Sequence, residues 1–136
     1  MKYYVVIDTN VIISSILNIA SVPGVIVTKA LEGKIVPILN KEIVYEYKEV
    51  LLRKKFGFDK YLVEDFIENF KKRAIFMNRT KCLEPFIDPD DVVFYELVLS
   101  AKSLTDAFLV TGNIKHFPDK NFVVTPREMM DILEKE

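Results

Sequence analysis

The residues Tyr3-Tyr4-Val5-Val6-Ile7-Asp8-Thr9-Asn10 begin with five apolar or aromatic side chains and end with three polar ones. A short, β-branched apolar run of this kind predicts a central strand that is covered on both faces. A helix is predicted to follow from 11 to 17, with Thr9 or Asn10 as its cap. Ligands of open parallel sheets bind beyond the carboxyl ends of the strands, which makes Asp8 a candidate site residue. An equally weighted alternative is that Asp8 only caps the helix.

Short apolar strands alternate with helical segments along the rest of the chain. The last helix begins at the capping box Thr125-Pro126-Arg127-Glu128. Further helices are predicted at 23–31, 41–55, 59–73 and 90–100, and further strands at 35–39, 74–77, 107–110 and 122–124. This alternation predicts an α/β protein, a three-layer α/β/α fold with a central, mostly parallel sheet of four to five strands. The length fits one domain over residues 1–136.

The charge of the chain is balanced overall but unevenly distributed. It has 19 Lys plus Arg against 20 Asp plus Glu, and residues 41–81 hold 11 of the basic but only 7 of the acidic side chains. The asymmetry predicts a basic rim beside an acidic centre, although two differently charged solvated faces explain it as well. The single cysteine, Cys82, excludes an internal disulfide and fits a reducing compartment. No apolar window reaches the length of a membrane span, so we expect a cytoplasmic protein without a membrane partner.

Glu46 is placed unusually for a helical carboxylate. It lies three residues after Ile43 and four before Val50, on the same helical stripe as these apolar side chains. An ionised carboxylate near a core is costly unless a cation or hydrogen-bond donors compensate. A Lys or Arg partner and a bound metal both remain possible partners at this point.

The segment Asp88-Pro89-Asp90-Asp91 leads directly into an apolar helix. Acidic residues stabilise a helix N-terminus, but three carboxylates in four positions exceed what capping requires. If Asp8, Glu46 and Asp91 converge, their repulsion should raise their pKa values unless a divalent cation neutralises them. Carboxylate ligands suit Mg²⁺ or Mn²⁺ better than zinc. Asp91 is preferred to Asp90 as a ligand because of its spacing to the apolar residues of the helix, but Asp90 remains an alternative.

These motifs resemble, in order and over essentially the whole chain, those of the PIN-domain ribonuclease family. The likeness is closest to the small prokaryotic VapC-like toxins of toxin–antitoxin pairs. It is carried by Val5-Val6-Ile7-Asp8-Thr9-Asn10-Val11, Glu46-Tyr47-x-x-Val50-Leu51, Asp88-Pro89-x-Asp91 with Phe94 and Leu97, Leu109-Val110-Thr111-Gly112-Asn113, and Val124-Thr125-Pro126.

The resemblance implies a nuclease site in which Asp8, Glu46 and Asp91 hold Mg²⁺ or Mn²⁺. Thr9 and Asn10 would support the first loop of the site, and Thr111 would lie beside the metal. Asn113 would be the fourth catalytic residue, but it departs from the pattern because many relatives carry an acid there. A neutral amide should weaken a second metal site, which leaves one metal or two as open alternatives. The implied reaction is RNA hydrolysis that leaves a 5′-phosphate and a 3′-hydroxyl.

Six basic residues that lie in the sequence between Glu46 and Asp91 are candidate phosphate contacts of the RNA substrate. They are Arg53, Lys54, Lys55, Lys71, Lys72 and Arg73. Tyr45, Tyr47 and Phe56 are candidates for base stacking, with core packing as the stronger explanation for most of them.

The predicted function is therefore a metal-dependent endoribonuclease, the toxin of a toxin–antitoxin system. A small antitoxin and a second copy of the chain are its expected protein partners, on the basis of resemblance alone. One alternative is a catalytically weak domain that binds RNA or an antitoxin, for which Asn113 is the motivation. A phosphohydrolase with Asp8 as covalent nucleophile is disfavoured, because Asn10 stands where that class usually has a second Asp.

Overall fold

The computed structural model describes residues 2–135, so that Met1 and Glu136, the ends of the predicted domain, lie outside it. The strands are β1 (Tyr4–Ile7), β2 (Val36–Leu39), β3 (Ile75–Phe76), β4 (Ala107–Val110) and β5 (Val123–Val124). The helices of the described residues are α1 (Thr9–Leu17), α2 (Val22–Leu31), α3 (Lys41–Leu51), α4 (Lys60–Arg73), α5 (Val92–Lys102) and α6 (Pro126–Glu134). The prediction of a three-layer α/β/α fold with a central, mostly parallel sheet of four to five strands is confirmed; the sheet has five strands.

All five strands are parallel and follow the order β3-β2-β1-β4-β5. The chain builds outward from β1 to β2 and β3, then crosses back and adds β4 and β5 on the other side. The strand order therefore reverses between β1 and β4, where Ile7 pairs with Val110. Such a switch point opens a crevice at the carboxyl ends of the strands, so the residues after Ile7 and Val110 face a natural ligand site.

Burial explains why β1 lies at the centre of the sheet. Val5, Val6 and Ile7 are all buried, as a strand covered on both faces requires. Helix α5 is the most buried helix, and its positions 93–98 are buried on every side. The predicted capping box at the start of α6 is confirmed, because Thr125 and Glu128 exchange both of its hydrogen bonds.

Most element boundaries lie within one or two residues of the sequence prediction, and three of the differences have a clear structural cause. Helix α1 begins at Thr9, and Asp8 rather than Thr9 or Asn10 occupies its N-cap position. Helix α3 ends at Leu51 and not near 55, because residues 54–56 form a separate 3₁₀ turn that closes on Gly57 at φ +63°. The proline of Asp88-Pro89-Asp90-Asp91 starts another 3₁₀ turn, so α5 begins only at Val92.

Helices α1 and α2 meet at a bend of 101°. A side chain at Gly24 would place its Cβ 2.2 Å from the carbonyl oxygen of Ile19, so only glycine allows this approach. Among the described residues, no single helix is long and apolar enough to cross a bilayer; α1 and α2 pass that test only when counted together across their bend.

Tyr47 ties α3 to the end of β1. Its ring is buried against Phe70, and its hydroxyl donates a hydrogen bond to the carbonyl oxygen of Ile7. Tyr47 is therefore not available to stack on a base, which makes that candidate assignment wrong. Phe56 is half-buried and stacks on Phe58, whereas Tyr45 is 73% exposed.

Replacing Tyr47 with phenylalanine should lower the free energy of unfolding by about 1–2 kcal/mol, because a buried carbonyl oxygen loses its partner. Urea denaturation measures the change, and Tyr45→Phe is the matched control because its hydroxyl lies in solvent. Equal stability of the two variants would contradict the role of the Tyr47 hydroxyl.

Candidate active site

Asp8 lies at the switch point between β1 and β4. Although it occupies the N-cap position of α1, its side chain makes no capping hydrogen bond. Its Oδ2 instead accepts hydrogen bonds from the Thr111 hydroxyl at 2.8 Å and from Asn10 Nδ2 at 3.1 Å. The alternative that Asp8 merely caps a helix is therefore not supported.

The Asp8 carboxyl is strongly perturbed. Only 5% of the residue is exposed. Burial raises its pKa to about 6; the hydrogen bond from Thr111 opposes the increase, and the negative charge of Asp91 adds to it. A carboxylate in this state is destabilised at neutral pH and would be relieved by a nearby cation.

The turn after β4 is bound to the loop after β1. Asn10 Oδ1 accepts a hydrogen bond from the Gly112 amide at 3.1 Å, and the Asn113 amide donates to the Thr111 hydroxyl oxygen at 3.0 Å. A Cβ at Gly112 would approach Asn10 Oδ1 to 3.3 Å, which explains the small residue in the turn. Asn10 and Thr111 thus hold Asp8 from two sides, while Asn113 is exposed.

Glu46 reaches the same region from α3. The residue is half-buried, and its Oε2 accepts a hydrogen bond from the Thr9 hydroxyl. Burial raises the pKa of the Glu46 carboxyl, the Thr9 hydrogen bond opposes this, and the charge of Asp8 raises it further. Within residues 2–135, no Lys or Arg forms an ion pair with Glu46. A basic partner, one of the two compensations considered from the sequence, is therefore not seen in the described part of the chain.

Asp91 approaches from the third side, at the start of α5. Its Oδ2 is buried and has no hydrogen-bond partner among the described residues. His116 Nδ1 lies 3.4 Å from this oxygen, a contact that is an ion pair only when the imidazole is protonated. Burial raises the pKa of Asp91, as do the charges of Asp88 and Glu46, whereas His116 lowers it. Asp90 is exposed, so the geometry favours Asp91 over Asp90.

Asp8, Glu46 and Asp91 are close enough for their charges to act on one another. As they stand, however, no group of three or more His, Cys, Asp or Glu side chains in residues 2–135 is spaced to hold a metal. Their chemistry still fits a hard cation, because the buried Oδ2 of Asp91 has no hydrogen-bond partner within residues 2–135 and all three groups offer carboxylate oxygens. The three side chains would have to move closer together to share one ion.

Glu46 and Asp91 open into a cleft of about 570 Å³. The other polar side chains that line it include Asp88, Asp90, Arg53 and Arg79. An acidic centre with two arginines at its border agrees with the charge asymmetry of the sequence.

The six basic residues predicted to contact RNA fall into two groups. Arg53 lines the cleft, and Lys54 and Lys55 follow it in the 3₁₀ turn after α3. The residues 71–73 instead end α4 just before β3, and Arg73 lies beside Gly33, which precedes β2. Residues 71–73 therefore lie at the amino ends of the strands, whereas Asp8 lies at the carboxyl ends.

Sequence reasoning missed Arg79. Its Nε donates to the buried Glu96 at 2.7 Å, and its Nη1 donates to Glu42 at 2.6 Å. Burial raises the pKa of Glu96, but hydrogen bonds from the Cys82 amide and Arg79 outweigh it and hold the pKa below its usual value. The available signal was Glu96 itself, an acid within an otherwise apolar helical run, which requires a basic partner.

The comparisons with known proteins agree with this geometry. The family model of the PIN domain matches residues 4–115. The chain is also 29% identical, over 147 aligned residues, to the uncharacterized protein MJ1680 of Methanocaldococcus jannaschii, an alignment that covers 99% of this chain and 94% of that protein. No solved structure matches the chain at a significant level. Because the match spans strands β1 to β4, the acidic cleft and the turn after β4, we conclude that the chain belongs to the PIN domain family.

Proposed function

We propose that the protein is a metal-dependent endoribonuclease that hydrolyses phosphodiester bonds of RNA. One observation carries the proposal. The carboxylates of Asp8, Glu46 and Asp91 come from three separate parts of the chain and raise one another's pKa values near the switch point of the sheet. Among the residues that the structure describes, the buried Oδ2 of Asp91 has no hydrogen-bond partner. PIN domains are typically nucleases, which gives this arrangement a fitting reaction.

The three carboxylates are the groups that would hold Mg²⁺ or Mn²⁺. When bound, such an ion supplies an acidified water and neutralises charge on the phosphate oxygens. The chain provides the orientation: Thr111 and Asn10 hold the Asp8 carboxylate, and Thr9 holds that of Glu46. These hydroxyl and amide donors oppose the increase in pKa that burial causes, and so favour the ionised form that ligands of a cation must have.

Saturating Mn²⁺ should raise the melting temperature of the protein by several degrees, because an ion at 100 times its dissociation constant stabilises the folded state by roughly 2.7 kcal/mol. We expect Glu46→Gln to lose most of this increase, since it removes one ligand charge. Thermal unfolding with and without EDTA measures it. Asp131→Asn, an exposed acid on α6, is the matched control and should keep the full increase. The same increase in all three proteins would speak against a metal held by Glu46.

The finer assignment is a cytoplasmic toxin of a toxin–antitoxin pair, in line with the resemblance to VapC-like proteins. We propose a small antitoxin as its inhibitor and a homodimer as its assembly. The exposed Leu17 and Ile19, 63% and 69% accessible, supply an apolar surface for such contacts. Growth arrest on expression, relieved by the product of a neighbouring gene, tests the toxin role; light scattering of the purified chain tests the dimer.

Asn113 favours a second candidate function, a domain that binds RNA or an antitoxin but cleaves weakly. The residue offers no charge where many relatives have an acid, and it is exposed. Tight binding of several RNAs without cleavage at saturating Mn²⁺ would support this candidate over the nuclease.

A further inference from the structure

The acidic cleft raises a difficulty for an RNA substrate. Acidic side chains dominate its walls, so a phosphate entering it meets mostly negative charge; they are Glu42, Glu46, Glu49, Asp88, Asp90 and Asp91. Arg53 and Arg79 are the cationic side chains among the residues that line the cleft. Each is already bound to a glutamate, Arg53 to Glu49 and Arg79 to Glu42.

The guanidinium groups of the two arginines bind glutamates on either side of Glu46 along α3. Glu42 and Glu46 are one turn apart on this helix, about 6 Å along its axis. Arg53 follows the end of α3, and its guanidinium binds Glu49, three residues after Glu46. Because Arg79 binds Glu42, its guanidinium stands at the first end of this track. A single strand of RNA that runs along α3 would therefore meet Arg79, then Glu46, then Arg53.

Arg79 is the better prepared of the two to bind a phosphate. Its Nε is fixed by Glu96, whose side chain is only 7% exposed, so the guanidinium plane has a rigid anchor. Its second bond goes to Glu42, whose side chain is 57% exposed and free to move away into solvent. Of the five N–H donors of an arginine, these two bonds leave several unused. A planar guanidinium that is held in place and still has unused N–H donors is well suited to bind a phosphate.

We propose that Arg79 binds a backbone phosphate of single-stranded RNA next to the bond held at Glu46, and that Glu42 competes with this phosphate for the guanidinium. The assignment rests on the proposed nuclease function and names the path of its substrate along α3. Tyr45, exposed on the same wall of the cleft, is placed to stack on the base of that nucleotide.

The test uses Glu42→Gln, which releases Arg79 without touching its buried bond to Glu96. Binding of a fluorescein-labelled, unstructured 12-nucleotide RNA is measured by anisotropy in EDTA, and a gel verifies that the RNA stays intact. We expect Glu42→Gln to bind about three- to tenfold more tightly than the wild type. Its plot of log affinity against log salt should also be steeper by about 0.7, the contribution of one more phosphate contact on a single strand.

Two further variants separate this contact from a general effect of charge. Glu32→Gln removes the same charge from an exposed ion pair with Lys34. Glu32 precedes β2 and so lies at the amino ends of the strands, away from the cleft. This variant should leave RNA binding unchanged. The double variant Glu42→Gln with Arg79→Lys keeps the positive charge but lacks the planar guanidinium. It should lose most of the increase in RNA affinity. The assignment of Arg79 is wrong if Glu42→Gln and Glu32→Gln increase the affinity for RNA equally, or if the double variant keeps the increase. Either result leaves the proposed nuclease function standing. Absence of RNA binding by every protein would overturn the proposed function with it.

Discussion

Replacing Asp8 with asparagine should reduce RNA cleavage about a thousandfold, equivalent to about 4 kcal/mol of the activation barrier. The amide keeps the shape of the side chain and can still accept the hydrogen bond from Thr111. It cannot supply the negative charge that a divalent ion requires, and metal chemistry of this kind contributes several kcal/mol to catalysis. The loss should therefore appear in the rate and not in the fold.

The measurement is the initial rate on a labelled single-stranded RNA with Mn²⁺, at several protein concentrations. Asp131→Asn serves as the control, since it makes the same chemical change on the exposed face of α6. If wild-type protein and Asp8→Asn degraded the RNA at the same rate, a contaminating nuclease would explain the activity and the proposed role of Asp8 would fall.

Without metal, the stability of the wild-type protein should decrease as the pH rises from about 4 to above 6. The pKa of Asp8 is raised from 3.8 to about 6 in the folded state, so the folded protein holds this proton more tightly than the unfolded chain does. The penalty is absent below the unfolded pKa, develops as the carboxyl ionises, and is complete above the folded pKa. It amounts to about 3 kcal/mol at pH 7.5.

Asp8→Asn removes this penalty, because its amide does not titrate. In EDTA at pH 7.5 the variant should be more stable than the wild type by up to about 3 kcal/mol, and the difference should shrink toward pH 4.5. Urea denaturation at the two pH values measures it. A variant that is inactive yet more stable is the expected signature of a group kept for chemistry at a cost in stability. A difference that does not change between the two pH values would show that Asp8 is not the titrating group.

Much of this site follows from local sequence patterns. Asp8 ends a buried strand, Glu46 interrupts an apolar helical stripe, and Asp91 precedes an apolar helix; each position follows from periodicity within a few residues. The parallel sheet then brings strand ends to one edge, which is why residues 8 and 111 could be expected to meet.

The remaining features depend on contacts between distant segments. Which side chain neutralises Glu96 depends on how the loop after β3 folds over α5, and no local pattern selects Arg79. Residues 71–73 and Arg53 belong to the same basic segment of the sequence. The direction of α4 nevertheless carries residues 71–73 to the amino ends of the strands, away from Asp8. Likewise, Asp91 gains His116 as a neighbour only through the turn after β4.

The hydrogen bond between Thr111 and Asp8 joins residues 103 positions apart. Thr111 directly follows strand β4, whose last residue, Val110, accepts a hydrogen bond from the Asp8 amide through its carbonyl oxygen. A nascent polypeptide that has not yet reached residue 110 has Asp8 and Asn10 but lacks both of these hydrogen bonds. The candidate centre can therefore form only after β4 and the turn that follows it have been synthesised.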